Sequence, residues 1–209
     1  MKITKFVQSC ILVEADDRVA LFDPGVMSEQ ALDSYDFTQL DDIFITHDHP
    51  DHFSIDYVKK LVAKFPNVQI TSTNEVVQQL AEQGITSSSD APNSVVFFDS
   101  PHEHVGPLGS QPEEIGIHYL DVLTHPGDSH SFTETKAILA LPITAPWGSN
   151  VRAIELAIEL KPKYILPIHD WHWRDEARIA SYNRQEKIFA DRGITFFKLE
   201  TGKSIEVTV

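Results

Sequence analysis

Short apolar runs alternate with polar punctuation along this chain. Residues 3–7, 11–14 and 19–22 read as strands, and the third stops at the turn Asp23-Pro24-Gly25. Ile43-Phe44-Ile45 follows Asp41-Asp42 as a buried strand and delivers the chain into Thr46-His47. Ser54 caps a helix that places Ile55, Val58, Leu61, Val62 and Phe65 on one face and stops at Pro66. After a strand at 68–71, Asn74 is the expected cap of a helix that turns Val76, Val77, Leu80 and Ala81 inward and closes at Gly84. Residues 95–98 form a strand running into Pro101-His102, and 115–120 with 121–124 form a strand pair leading to Pro126-Gly127-Asp128. A strand at 137–141 precedes a helix capped by Asn150 and ended before Pro162. Tyr164-Ile165-Leu166 is a strand entering Pro167-Ile168-His169. The last helix begins at Asp175 and ends at Gly193, and two short strands finish the chain.

This pattern is α/β, without internal repeats and without a Gly/Ser- or Pro-rich linker; 87–93 is a loop, not a boundary. The 209 residues suit a single domain over 1–209. With 42% apolar and 23% charged residues, the chain can bury a sizeable core. Seventeen Lys and Arg against 31 Asp and Glu give a net charge of -14. Such a surface repels phosphate backbones and anionic lipid heads, so neither nucleic acid nor a membrane is the expected partner. It does not exclude an anionic substrate, because bound metal reverses the sign locally. A lone cysteine, Cys10, makes no internal disulfide and no thiolate zinc site, and reads as a small buried side chain. No apolar run is long enough to span a bilayer, and the N-terminus lacks the apolar content of a secretory signal. The expected location is the cytoplasm; the sequence sets no oligomeric state.

Histidine changes the picture, with ten in the chain. His47, His49 and His52 alternate with Asp48 and Asp51 in Thr46-His47-Asp48-His49-Pro50-Asp51-His52, on the loop between a buried strand and a capped helix. Imidazole and carboxylate together suit borderline divalent ions, zinc first, with manganese or iron also accepted. A tight turn there aims His47 and His49 one way and Asp51 and His52 another, which favours two adjacent ions over one.

His47-Asp48-His49-Pro50-Asp51-His52 resembles the His-x-His-x-Asp-His signature of the metallo-β-lactamase-fold superfamily. The resemblance extends over nearly the whole chain, since later motifs follow in the expected order. Thr124-His125-Pro126-Gly127-Asp128-Ser129 is similar to the segment whose aspartate bridges both metals. Leu166-Pro167-Ile168-His169 is similar to the segment of the last ligand, and Ser100-Pro101-His102-Glu103-His104 stands where the first metal finds its third. Leu21-Phe22-Asp23-Pro24-Gly25 matches the segment whose aspartate supports the ligands. The short chain and its Pro-Ile-His-Asp ending look most like the small, UlaG-like hydrolases.

The resemblance implies an αββα four-layer sandwich. It also implies a first metal on His47, His49 and His102, a second on Asp51, His52 and His169, and Asp128 bridging. Asp128 and Asp51 are then the candidate catalytic residues, Asp128 also as an acceptor that orients the nucleophile. Two ions roughly 3.5–4 Å apart lower the pKa of a shared water toward about 7, so hydroxide is available at neutral pH. The expected activity is hydrolysis of an ester, lactone, amide or phosphodiester in a small molecule. The alternatives are a nuclease or phosphodiesterase of the same fold and a non-catalytic metal-binding protein. An iron oxygen reductase is disfavoured, because no flavin-binding partner domain is present.

Other residues have a bland and a functional reading. His104 is the alternative to His102 as a ligand, but Pro101 breaks the strand ladder and makes His102 the first side chain presented beyond it. Asp23, His104, His125, His130, Trp171 and His172 are candidates for supporting ligands or lining the pocket; Trp171 and Trp173 equally suit anchoring of the last helix. Trp147 stands undecided between pocket and packing. His118 reads as a satisfied histidine on a strand, and Asp16-Asp17 as a hairpin tip.

Overall fold

The computed structural model describes residues 1–109 and 111–208. In chain order its elements are β1 (Lys2–Lys5), β2 (Ile11–Ala15), β3 (Arg18–Phe22), α1 (Glu29–Asp33), β4 (Asp42–Phe44), α2 (Ile55–Lys64), β5 (Gln69–Thr71) and α3 (Asn74–Glu82). Then follow β6 (Val95–Phe98), β7 (Gly116–Tyr119), β8 (Leu123–His125), β9 (Ile138–Pro142), α4 (Asn150–Leu160), β10 (Tyr164–Ile168), α5 (Asp175–Ala190), β11 (Thr195–Phe196) and β12 (Lys203–Glu206). They gather into two compact units. One comprises Met1–Ala91, Pro112–Glu114 and the C-terminal stretch from Glu200; the other comprises Pro92–Gln111 and Ile115–Leu199.

The first unit holds a six-stranded sheet ordered β12-β1-β2-β3-β4-β5. β12, β1, β2 and β3 pair antiparallel, while β3, β4 and β5 run parallel. Asp16 and Asp17 form a two-residue hairpin tip with φ of 50° and 61°, left-handed values that suit the twist of the flanking strands and that Asp tolerates. Ser54 caps α2: it is extended, its hydroxyl accepts from the Tyr57 N–H, and the helix buries Tyr57, Val58 and Leu61. This face joins a core with Phe6, Leu12, Leu21 and Ile43. The helix stops at Phe65, whose αR conformation Pro66 disfavours. α1 was not anticipated; its single buried residue, Leu32, is too weak a periodic signal.

The second unit holds a sheet ordered β11-β10-β9-β8-β7-β6, parallel from β11 through β8 and antiparallel across β7 and β6. Its core contains Leu139, Leu141, Leu156, Ile165, Tyr182 and Phe189. α4 ends at Lys161 in the left-handed region, one residue before Pro162.

Two expected caps move by one residue. Thr73, not Asn74, accepts from Val76 N–H, and Ser149, not Asn150, accepts from Arg152 N–H. A cap needs an extended backbone so that its oxygen reaches back over the first turn; Thr73 and Ser149 have it, whereas both asparagines already belong to the helix.

The parallel strands matter for the site. In the first unit the adjacent strands β3 and β4 run directly into Asp23 and, through Ile45-Thr46, into His47. In the second, β8 leads into the Asp128 loop and β10 directly into His169. Neighbouring parallel strands bring their carboxyl ends to one sheet edge, where an α/β scaffold places its chemistry.

Candidate metal centre

The histidine motif of the first unit is held from below by Asp23, which is fully buried with φ 45°. One of its oxygens accepts from Thr46 N–H at 2.8 Å. The other accepts from the Thr46 hydroxyl at 2.9 Å and lies 2.7 Å from His52 Nδ1. An ionised carboxylate only accepts, so His52 carries its proton on Nδ1 and offers Nε2 to a metal. His47 repeats the arrangement: its Nδ1 lies 2.9 Å from Glu114 Oε2, both side chains fully buried. Gln8, itself with φ 62°, donates its amide to Asp51 Oδ2 at 2.9 Å, and the Ser9 hydroxyl lies 3.2 Å from His52 Nδ1.

The loop itself is a tight turn in which the N–H groups of His52 and Phe53 both donate to the His49 carbonyl. The His47 ring lies 4.8 Å from that of His49 and 4.0 Å from that of His52. His47 and His49 present donor atoms within 4.8 Å of each other, as do Asp51 and His52. Asp48 instead accepts from Gln79. Gly25 is required for close approach: a Cβ there would stand 2.0 Å from the Asp51 carbonyl oxygen. Val26 N–H donates to the Pro50 carbonyl and Ser54 N–H to that of Pro24, locking the Asp23 turn to the motif.

In the second unit Asp128 is buried between two histidines. Its Oδ1 lies 2.5 Å from His169 Nε2 and its Oδ2 3.7 Å from His102 Nε2. His102 donates from Nδ1 to the Glu103 carbonyl at 2.6 Å, which again leaves Nε2 as the ligand nitrogen. The loops are cross-linked: Ser100 donates to the Pro126 carbonyl, Ser129 to that of Pro101, and Glu103 N–H to that of Asp128. His169 has φ 62°, and the next residue, Asp170, accepts from the Tyr182 hydroxyl at 2.5 Å, tying the strand end to α5. The Trp147 indole N–H donates to Asp128 Oδ2 at 2.8 Å.

The remaining candidates divide. His130 is buried, its Nε2 2.7 Å from the Pro142 carbonyl, and burial lowers its pKa; its backbone N–H donates to Glu103. His125 is buried, with Nδ1 3.4 Å from the Gly127 N–H. His118 lies on β7, stacked on Phe98 and bonded to Thr124. His104, Trp171 and His172 are exposed; the latter two meet edge-on.

Glu114, Gln8 and Ser9 escaped the sequence reading. Gln8 and Ser9 left one trace, a polar pair interrupting the apolar stretch 6–13. Glu114 left none, being one acidic residue beside another in a loop. The donor set fits a divalent ion: buried imidazoles with Nδ1 committed to an acceptor, and carboxylates beside them.

Comparison with known proteins agrees with this chemistry. The family model described as a beta-lactamase superfamily domain matches residues 2–169. Protein Rv0786c of Mycobacterium tuberculosis is 29% identical over 195 residues, covering 88% of this chain and 91% of the relative. A UPF0173 metal-dependent hydrolase of Pyrobaculum calidifontis is 25% identical, covering 81% and 84%. Among solved structures, the metallo hydrolase Igni18 of Ignicoccus hospitalis superposes with a TM-score of 0.72 at 18% identity over 99% of each chain.

Proposed function

Because the chain belongs to the beta-lactamase superfamily and is a metal-dependent hydrolase of the metallo-β-lactamase fold, we propose that it works with two divalent ions, zinc first among them. In this reading His47, His49 and His102 hold one ion, Asp51, His52 and His169 the other, and Asp128 bridges. The observation that carries it is the recurrent pairing of Nδ1 with an acceptor, at His47 by Glu114, at His52 by Asp23 and at His102 by the Glu103 carbonyl. Each ring is thereby fixed in the tautomer a metal needs. When bound, such a pair supplies a water acidic enough to attack at neutral pH and a positive field for the developing oxyanion.

The protein's own residues then position. Asp128 accepts from the Trp147 indole N–H and Asp51 from the Gln8 amide. The -14 charge and the absence of a basic cluster near the motifs favour a small-molecule ester, lactone, amide or phosphodiester over nucleic acid. The family match runs across both units, which supports treating residues 1–209 as one domain. Among the described residues no helix is long and apolar enough to cross a membrane.

The test is elemental analysis after reconstitution with Zn(II) or Mn(II), followed by a hydrolysis screen over lactones, thioesters, phosphodiesters and β-lactams. About two ions per chain are expected, and Asp128→Ala should fold yet keep less than about a tenth of the activity. A ceiling of one ion refutes the dinuclear reading.

A further inference from the structure

We propose that Trp147 is a positioning residue that fixes the rotation of the Asp128 carboxylate, so that its two oxygens face the His102 and His169 sides at once. The proposal rests on the dinuclear reading above. The torsion that turns an aspartate's carboxylate is broad and roughly two-fold, so a bridging Asp is not held by its own rotamer preference. Here the indole Nε1–H donates to Oδ2 at 2.8 Å, a charge-assisted bond that sets the carboxylate plane. In that plane Oδ1 lies 2.5 Å from His169 Nε2, while Oδ2 lies 3.7 Å from His102 Nε2.

The indole is itself held. Its ring sits edge-on against His130 with centroids 5.0 Å apart, and lies 5.8 Å from His169 and 6.4 Å from His102. The loop carrying it closes on two backbone bonds, Ala145 N–H to the Gly148 carbonyl and Gly148 N–H to the Ala145 carbonyl. Behind it Gly148 lies against the His130 ring, where a Cβ would stand 3.0 Å from Cε1, and His130 is anchored to the Pro142 carbonyl. A side chain wedged in this way presents its N–H without ordering anything new when metal arrives. That is the condition under which an outer hydrogen bond strengthens a metal site.

Trp147→Phe keeps an aromatic ring and removes the donor. Mn(II) alone is titrated into the metal-free wild type and variant, with uptake measured at equilibrium and the coupling between the ions read by electron paramagnetic resonance. The wild type should take two Mn(II) with a coupled spectrum. The variant should bind the second ion about tenfold more weakly and show altered coupling. Uptake within twofold of wild type with an unchanged spectrum overturns the role of Trp147 and leaves the dinuclear reading intact. A wild type that stops at one Mn(II) refutes that reading and the proposal with it. Should the variant not fold, the indole N–H resonance of the Zn(II)-loaded wild type decides. Slow solvent exchange relative to exposed Trp171 is expected, and exchange as fast as that of Trp171 overturns the proposal.

Discussion

Asp23→Asn separates the support of the site from its ligands. The native carboxylate accepts three hydrogen bonds from buried donors: Thr46 N–H, the Thr46 hydroxyl and His52 Nδ1–H. Asparagine has nearly the same shape and keeps one acceptor for Thr46 N–H. Its amide nitrogen then faces the Thr46 hydroxyl and His52. The hydroxyl rotates and accepts. His52 must move its proton from Nδ1 to Nε2, which removes the lone pair a metal requires. Loss of an orienting partner of this type costs about 10–100-fold in metal affinity, or about 1.4–2.7 kcal/mol. Only the ion held by His52 should feel it. Asp23→Ala is a different perturbation: it takes the acceptor from the buried Thr46 N–H at about 1–3 kcal/mol, while the Thr46 hydroxyl can turn and His52 Nδ1 keeps the Ser9 hydroxyl at 3.2 Å. That cost is a sizeable share of the whole stability of a domain, about 5–15 kcal/mol, so the alanine variant should melt well below wild type. The assay is competition for Zn(II) against a chelator of known affinity, with thermal unfolding alongside. If Asp23→Asn melts close to wild type and binds one ion normally and the other at least tenfold more weakly, the tautomer argument holds. Two ions bound at wild-type affinity would refute it.

Gly25→Ala should melt more than about 10 °C below wild type, because the new Cβ meets the Asp51 carbonyl and the Asp23 turn must part from the motif. Gly84→Ala, with φ +72° and open space, should lose only about 1 kcal/mol, and equal losses at the two sites would contradict the close-approach argument. Burial first, and then the charge of Lys136, hold the His118 pKa below the ordinary histidine value. The unfolded chain binds its proton below about pH 6.5. Stability is therefore full above that value and declines as pH falls toward the depressed folded value. The drop in denaturant midpoint between pH 7.5 and 5.5 should be smaller in His118→Gln, and an identical drop would contradict the argument.

The elements were legible wherever the signal is local. Ser54 against Tyr57 N–H, Phe65 before Pro66 and the apolar face of α2 each lie within a few residues, so the helix follows from the sequence alone. The caps of α3 and α4 slipped by one because two adjacent polar residues compete, and backbone torsion, not residue type, chooses between them. The histidine motif was legible for the same local reason, since six residues carry four candidate ligands. The wider reading of His102, Asp128 and His169 rests instead on the resemblance to the metallo-β-lactamase-fold superfamily, whose motifs stand in the same order along this chain.

Tertiary structure alone decided the rest. That β12 returns to pair with β1, adding an edge strand to the sheet that carries the histidine motif, follows from hydrogen bonds between the two ends of the chain. The partners that orient the ligands belong here as well. Gln8 reaches Asp51 across 43 positions and Trp147 reaches Asp128 across 19, while Glu114 joins His47 from a loop with no pattern of its own. Ligand residues are recognisable because a metal restricts their type and the tight turn restricts their spacing. Their supports need only an acceptor or donor of the right sign at hydrogen-bond distance, and many residue types on many loops meet that requirement, so only the folded chain selects among them.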